Sequence, residues 1–255
     1  MPTPTRDILA HLDDLLQSTR FEDYGPNGLQ VPGPDEVATI ATGVSASAEL
    51  FELAAAERAD MLLVHHGLFW GAGFTAIDAQ LKRRLQLLFD ANIALAAYHL
   101  PLDAHPELGN NALLARALGA QRLDKPFALH RGQAIGCLAR YAGEGLPIAE
   151  LIARTRELTD REPLVFDAGP PRVRTLAIVS GGGADYIPDA ARSGADALLT
   201  GEPVERVMSQ ARELHIHLIA AGHYATETFG VRALGERLAE RFGLRHVFLD
   251  IPNPI

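Results

Sequence analysis

The sequence predicts an α/β fold of two similar lobes that arise from a duplicated unit, with a small central α/β insert. Strand-like apolar segments alternate with helical segments in the first and last thirds of the chain, a pattern typical of βαβ units and a largely parallel sheet. These two thirds also carry similar short motifs at equivalent places. The stretch between them differs, because it holds only one short strand–helix–strand set. We therefore predict a first lobe at 1–121, an insert at 122–170 and a second lobe at 171–255.

Hydrophobic periodicity predicts the elements of the first lobe. The spacing of leucine and isoleucine over 6–19 predicts an amphipathic helix, and the segment YGPNGLQVPGP at 24–34 predicts turns. That segment either closes over a ligand crevice or forms a β-turn that leads into a strand. After it, predicted strands and helices alternate at 37–44, 47–59, 60–67, 79–92, 93–100 and 110–119.

The insert and the second lobe follow the same reasoning. Three glycines, Gly181 to Gly183, connect the first strand of the second lobe to a helix. Their N–H groups could cradle a phosphate, although a tight connection without any ligand fits the pattern equally well. The predicted elements are a strand, a helix and a strand at 133–141, 146–160 and 162–169, then alternating strands and helices at 174–180, 185–194, 195–202, 203–215, 217–223, 226–243 and 246–251.

The composition limits the possible partners and locations. The chain has 255 residues, is 47% hydrophobic and 22% charged, and carries a net charge of −9, which is ordinary for a globular protein. The negative charge argues against nonspecific binding to nucleic acid or to an anionic membrane. The only cysteine, Cys137, lies in an apolar stretch and is predicted to be a core residue. No apolar run approaches the roughly 18 residues of a membrane span, so we expect a cytoplasmic protein.

A repeated pair of a histidine and an acid marks a candidate site. His99 ends one predicted strand and Asp103 follows four residues later, while His223 and Glu227 have the same spacing at the equivalent strand of the second lobe. In open α/β sheets, ligands bind at the carboxyl ends of the strands. The repeat therefore predicts that these four side chains serve one shared crevice.

A second signal is the histidine pair His65-His66, which ends the apolar strand MLLVHH. Adjacent side chains on a strand point to opposite faces, so the pair suits two metal ions, with one histidine for each and a bridging carboxylate such as Glu227. Nitrogen and oxygen donors without thiolates favour Zn, Mn, Fe, Co or Ni over a structural zinc site. Glu202 stands at the equivalent place of the second lobe, where it either supports the ligands or begins the next helix.

Several motifs together resemble one known family. NGLQV at 27–31, VHHGLFW at 64–70, HLPLDAHPELGNNA at 99–112, TGE at 200–202 and AGHYATE at 221–227 are similar to motifs of the NIF-three-like dinuclear metal-centre family, also called GTP cyclohydrolase I type 2 homologues. The resemblance implies the NIF-three-like fold and a toroidal homohexamer. It also implies a histidine near the metals, at His99, and a two-metal site whose ligands are His65, His66, Asp103, His223 and Glu227.

These observations lead to a functional hypothesis with two alternatives. We expect a dinuclear metal-dependent hydrolase that acts on a nucleotide-like small molecule, with two divalent ions activating water and His99 as a proton shuttle. One alternative is a non-enzymatic, metal-binding hexameric ring that acts as an interaction protein in DNA maintenance or metal handling. The other is a metal site that only stabilises the fold.

Overall fold

The computed structural model describes residues 2–71 and 76–255, and it confirms the α/β class. Short 3₁₀ turns lie at Ser18–Arg20 and Ala184–Tyr186. The strands are β1 (Thr3–Pro4), β2 (Gly28–Val31), β3 (Glu36–Val37), β4 (Thr39–Ser45), β5 (Met61–His66), β6 (Ala94–Ala97), β7 (Gln121–Arg122), β8 (Leu129–His130), β9 (Gln133–Ala134), β10 (Cys137–Arg140), β11 (Leu146–Pro147), β12 (Leu164–Phe166), β13 (Arg172–Val173), β14 (Thr175–Val179), β15 (Ala197–Thr200), β16 (His217–Ala220) and β17 (Arg245–Phe248). The helices are α1 (Thr5–Leu16), α2 (Ala48–Ala56), α3 (Ala79–Ala91), α4 (Leu100–Asp103), α5 (Asn110–Ala117), α6 (Ile148–Thr159), α7 (Ile187–Arg192), α8 (Val207–Leu214) and α9 (His223–Phe242).

The chain forms two compact units. The first unit contains Met1–Leu102 and Gly230–Ile251, and the second contains Asp103–Phe229 and Pro252–Ile255. Helix α9 therefore begins in the second unit and ends in the first. None of the helices within 2–71 and 76–255 is both long and apolar enough to cross a bilayer.

The first unit is built on a five-stranded sheet in the order β17-β4-β5-β6-β2. Strands β17, β4, β5 and β6 run parallel, and β2 closes one edge in the antiparallel direction. Strand β5 lies at the centre and is buried from Met61 to His65, as a near-continuous apolar run predicts for a parallel strand covered on both faces. Because β5 and β6 are parallel, their carboxyl ends place His65, His66 and the following His99 at one edge of this sheet.

The second unit is built on a six-stranded sheet in the order β12-β16-β15-β14-β10-β7. Strands β14, β15 and β16 are parallel, and β10 and β12 join them in the antiparallel direction. Both antiparallel strands come from 122–170, so strands of the predicted insert complete this sheet. Cys137 is buried in the core, and burial raises the pKa of its thiol to about 11, which agrees with a packing role.

Both units repeat one order of elements. Each contains a two-residue strand that pairs with another two-residue strand, followed by a helix, an antiparallel edge strand, and three parallel strands joined by two helices. The order is β1-α1-β2-β3-β4-α2-β5-α3-β6 in the first unit and β11-α6-β12-β13-β14-α7-β15-α8-β16 in the second. Helix α6 and strand β12, which the sequence assigned to an insert, thus take the places of α1 and β2.

One hydrogen-bond motif also recurs. The Asp60 carboxylate accepts the backbone N–H groups of Ala38 and Thr39 at 2.8 and 2.9 Å, at the beginning of β4. Asp196 does the same at the beginning of β14, where it accepts the N–H groups of the two residues 174 and 175 at 2.7 and 2.9 Å. An Ala-Asp dipeptide stands at both places, 59–60 and 195–196, and in each the aspartate connects the beginnings of neighbouring strands.

Candidate metal centre

The histidine pair at the end of β5 has its rings close together. His65 is fully buried and His66 is partly exposed, and their ring centroids lie 4.7 Å apart. The strand alternation rule, which predicted diverging side chains, is wrong here. Pairing with β6 ends at Val64, whereas pairing with β4 continues to His66.

His99 follows β6 and completes a cluster with this pair. Its ring centroid lies 4.9 Å from that of His65 and 5.4 Å from that of His66. One nitrogen from each of the three rings lies within 4.8 Å of the other two. The first unit therefore carries a set of three histidine nitrogens that lie close enough together to bind one metal ion.

A polar group engages Nδ1 of each of these histidines. A backbone carbonyl or a carboxylate can only accept, so two of the rings carry their proton on Nδ1. The lone pair of each of these rings is then on Nε2, through which His65 would bind a metal ion, as is usual for histidines held by an outer acceptor. The contacts are His65 Nδ1 with the Tyr98 carbonyl at 3.1 Å, His66 Nδ1 with the Ser45 hydroxyl at 2.9 Å, and His99 Nδ1 with the Asp23 carboxylate at 2.7 Å.

Asp103 is the first metal-donor candidate of the second unit along the chain. It ends α4 and is 8% exposed, and its Oδ1 accepts hydrogen bonds from the Asn110 amide at 2.9 Å and the Ser180 hydroxyl at 3.1 Å. Asn111 fixes the same loop, because its side-chain oxygen accepts the N–H of Ser180 at 2.7 Å. The sequence reasoning did not identify Asn110 or Ser180. The adjacent asparagines in the motif HPELGNNA were the available signal for the first of them.

His223 and Glu227 lie one turn apart at the beginning of α9, so both project from one helical face. Their Nε2 and Oε2 atoms are 3.2 Å apart, and a carboxylate oxygen of Glu227 lies within 4.8 Å of one from Asp103. Glu227 is 2% exposed. The second unit therefore brings two carboxylates and one imidazole together in a largely buried place.

Glu202 contacts Nδ1 of His223. Helix α8 begins only at Val207, so Glu202 supports the histidine and does not begin a helix. Burial alone would lower the pKa of His223, but the hydrogen bonds and charges of Glu227 and Glu202 outweigh it and raise the pKa to about 9. The surroundings of His223 thus attract a cation.

Gly181 has no side chain, and Glu227 and His223 occupy the space that a Cβ would take there. Its backbone is left-handed, with φ of +60°, and a Cβ at this position would overlap Oε1 of Glu227 and lie 2.9 Å from Nε2 of His223. Its carbonyl accepts the N–H groups of Gly201 and Glu202, both at 2.9 Å. The loop therefore packs directly against the donor side chains and links the ends of two parallel strands.

The same loop uses its N–H groups internally. The N–H of Gly181 donates to the Thr226 hydroxyl at 3.1 Å, and that of Gly183 donates to the Thr200 hydroxyl at 2.9 Å. Two of the three glycines are therefore committed to the protein itself, which favours the interpretation as a tight connection over that of a phosphate cradle.

The segment YGPNGLQV forms a turn followed by the edge strand β2, as its simpler interpretation predicted. It also packs against the end of β5, because Gln30 accepts the N–H of Leu68 at 2.7 Å and the Tyr24 carbonyl accepts that of Gly71 at 2.6 Å. Together with His65, His99 and Trp70, it lines a small cavity in the first unit.

The other histidines play structural or surface roles. In the described part of the chain, they belong to none of the clusters that could hold a metal ion. His217 is fully buried and contacts the Pro170 carbonyl at 2.7 Å, and His246 contacts the Thr42 hydroxyl at 2.9 Å. The remaining members of this group are His11, His105, His130 and His215.

Comparisons with known proteins find similar sequences and structures over nearly the whole chain. Residues 3–254 match the family described as Duf34/NIF3 (NGG1p interacting factor 3). A Pseudomonas aeruginosa protein called GTP cyclohydrolase 1 type 2 homolog is 44% identical over 247 residues, which cover 97% of each chain. A solved structure of protein ybgI, described as of unknown function, superposes with a TM-score of 0.92 at 40% identity, over 99% of this chain and all of that one. TTHA1606 from Thermus thermophilus superposes with a TM-score of 0.88, also at 40% identity and with the same coverage.

Proposed function

This chain belongs to the Duf34/NIF3 family, and on that premise we propose that it is a dinuclear metal-dependent hydrolase acting on a nucleotide-like small molecule. The proposed metal ligands are His65, His66, Asp103, His223 and Glu227. The name shared by its relatives, GTP cyclohydrolase 1 type 2 homolog, supports the substrate class.

The observation that carries this proposal is the chemistry of the two donor sets. Imidazole and carboxylate groups without any thiolate are the ligands of catalytic Zn, Mn, Fe, Co and Ni sites. The polar groups at Nδ1 of the histidines are the outer partners that such ligands normally have. Two divalent ions would supply Lewis-acid activation of water for hydrolysis.

The protein's own groups would bind, orient and transfer protons. Asn110 and Ser180 hold Oδ1 of Asp103 in one orientation, and Glu202 holds the ring of His223. His99, which Asp23 fixes in place, is our candidate for moving a proton to or from the substrate. We further propose a cytoplasmic homohexamer as the working assembly, which sedimentation of the purified protein would test.

The deciding experiment is a turnover screen. The protein is reconstituted with Mn, Zn, Fe or Co and incubated with purine nucleotides and related heterocycles, and hydrolysis products are identified by mass spectrometry. Glu227→Ala is expected to lose bound metal and turnover together, because it removes a buried carboxylate that lies beside both Asp103 and His223. Glu240→Ala, on an exposed position of the same helix, is the matched control and retains both. A metal-free Glu227→Ala protein with full activity would overturn the proposal.

A second candidate function is that of an interaction protein. The family description itself names an interacting factor, which supports a role in binding another macromolecule. In this candidate function the chain forms a metal-binding hexameric ring that acts in DNA maintenance or metal handling. The net charge of −9 argues against DNA as the direct partner. Salt-dependent DNA binding by the metal-loaded protein, together with no turnover in the screen, would favour this candidate over the hydrolase.

A further inference from the structure

Asp23 is a buried carboxylate next to His99 in the first unit. Its side chain is 2% exposed, and its two oxygens accept four hydrogen bonds. Burial would raise the pKa of this carboxyl group, but the hydrogen bonds and the charge of His99 outweigh burial and lower it, so Asp23 is ionised. The donors are the Tyr24 N–H at 2.7 Å and His99 Nδ1 at 2.7 Å to Oδ1, and the Asn27 amide at 3.0 Å and the Leu100 N–H at 2.9 Å to Oδ2.

The same loop holds His99 at two points. The His99 backbone N–H donates to the Asn27 side-chain oxygen at 2.9 Å, and the His99 ring bonds to Asp23 through Nδ1. An ionised carboxylate offers only acceptors, so the proton of a neutral His99 ring must sit on Nδ1. The lone pair is then on Nε2, the ring atom that lies farther from Asp23.

We propose that Asp23 is a positioning residue, which holds the His99 ring in the Nδ1–H tautomer so that the lone pair of the ring lies on Nε2. This inference rests on the function proposed above for His99. Asp23 itself acts only through the histidine, as a carboxylate does in other oriented imidazoles that work as bases.

The arrangement of donors makes Asp23→Asn an informative change. The four donors are divided evenly between the two oxygens, so an amide NH₂ group must face two of them whichever way it turns. The Tyr24 and Leu100 N–H groups can only donate, and the Asn27 oxygen already accepts the His99 N–H, so the His99 ring nitrogen is the one partner that can change to an acceptor. The amide oxygen therefore turns to the Leu100 side, and the NH₂ group faces Nδ1 of His99 and requires that nitrogen to accept. The proton of the ring then moves to Nε2, and the lone pair is lost from that nitrogen.

The test is ¹⁵N NMR of the full-length protein labelled in histidine, metal-free and zinc-loaded. His99→Asn identifies the His99 signals by their loss. We expect the wild-type ring to show a protonated Nδ1, and Asp23→Asn to shift the ring toward a protonated Nε2. Asp13→Asn is the matched control, because the groups that donate to Asp13 are the hydroxyls of Ser18 and Tyr98, which can rotate to suit an amide. It leaves the His99 signals unchanged.

Either of two results would overturn the inference. The first is a wild-type His99 that is protonated on Nε2, which needs no variant and therefore stands even if Asp23→Asn does not fold. The second is a folded Asp23→Asn protein whose His99 keeps the proton on Nδ1.

If the turnover screen finds a substrate, Asp23→Asn should lower kcat by about 10²–10⁴-fold with little change in KM. The tautomer is measured without substrate, so a failed screen with the expected NMR result rejects the hydrolase and leaves the orienting contact intact.

Discussion

At the scale of single residues, Gly181 decides whether the donor set of the second unit can form. Replacing it with alanine would place a methyl group against Glu227 and His223 and would add about 1–2 kcal/mol of strain at a left-handed position. We expect Gly181→Ala to weaken metal affinity by about 10–100-fold, as disturbed support around metal ligands typically does. Isothermal titration with Zn or Co would measure it.

The adjacent Gly182 supplies the control. A Cβ at that position meets no heavy atom within 4 Å, and its φ lies outside the left-handed range. Gly182→Ala is therefore expected to bind metal as the wild type does. Equal affinity losses in both variants would show that the effect comes from loop stiffness and not from the space kept for the donors.

His223 predicts how the metal-free protein responds to pH. Its pKa is raised from 6.5 to about 9 in the folded chain, so its protonation stabilises the folded state fully below about pH 6.5. This contribution is lost as the pH rises through about 9. Thermal unfolding of the metal-free protein between pH 6 and 10 should show a falling Tm over that window. Glu202→Gln removes one of the stabilising charges and is expected to make the fall smaller, whereas an unchanged profile would contradict this cause.

At the scale of the elements, the repeated aspartates test whether the two units are built alike. Asp60→Ala and Asp196→Ala each remove the acceptor of two backbone N–H groups at the beginning of a parallel strand. We expect each to lower the free energy of unfolding by about 1–3 kcal/mol, measured by urea denaturation. Asp90→Ala, at an exposed place on α3, is the control and should change it by less than about 0.5 kcal/mol.

Other elements explain what local sequence could and could not reveal. The run MLLVHH predicted β5 because a short apolar run between polar residues is typical of a parallel strand covered on both faces. The edge strands β2 and β12 contain only four and three residues, and their pairing depends on strands far along the chain. Helix α9 begins at His223, three residues before the predicted start, which places the histidine and Glu227 on the same helix.

At the scale of the whole molecule, metal removal separates a functional site from a purely structural one. The apolar cores of the two units are formed without any of the proposed ligands. We therefore expect a chelator to lower the Tm and leave the protein folded at 25 °C, since each ion present at 100 times its Kd adds only about 2.7 kcal/mol. Circular dichroism with and without chelator measures both effects, and unfolding at 25 °C would support the purely stabilising role.

The chain as a whole shows which parts of a site can be predicted. The α/β class and the donor residue types followed from periodicity and from the repeated histidine–acid spacing. Asp23 could not be found in this way, because its partner His99 is 76 positions away and no local pattern encodes that contact. The close approach of the His65 and His66 rings was also missed, because the alternation of side chains along a strand predicts the opposite.

Trp70 determines where the tryptophan fluorescence of this protein originates. It is the only tryptophan of the chain, is 45% exposed, and has its ring centroid 5.6 Å from that of His66 and 5.4 Å from that of His99. Its indole N–H donates to the Gly67 carbonyl at 3.0 Å, which ties the ring to the residue following the histidine pair. All of the tryptophan fluorescence therefore originates beside the donor histidines. The protein carries its own optical probe, through which the arrival of a quenching ion or a stacking ligand can be followed without any label.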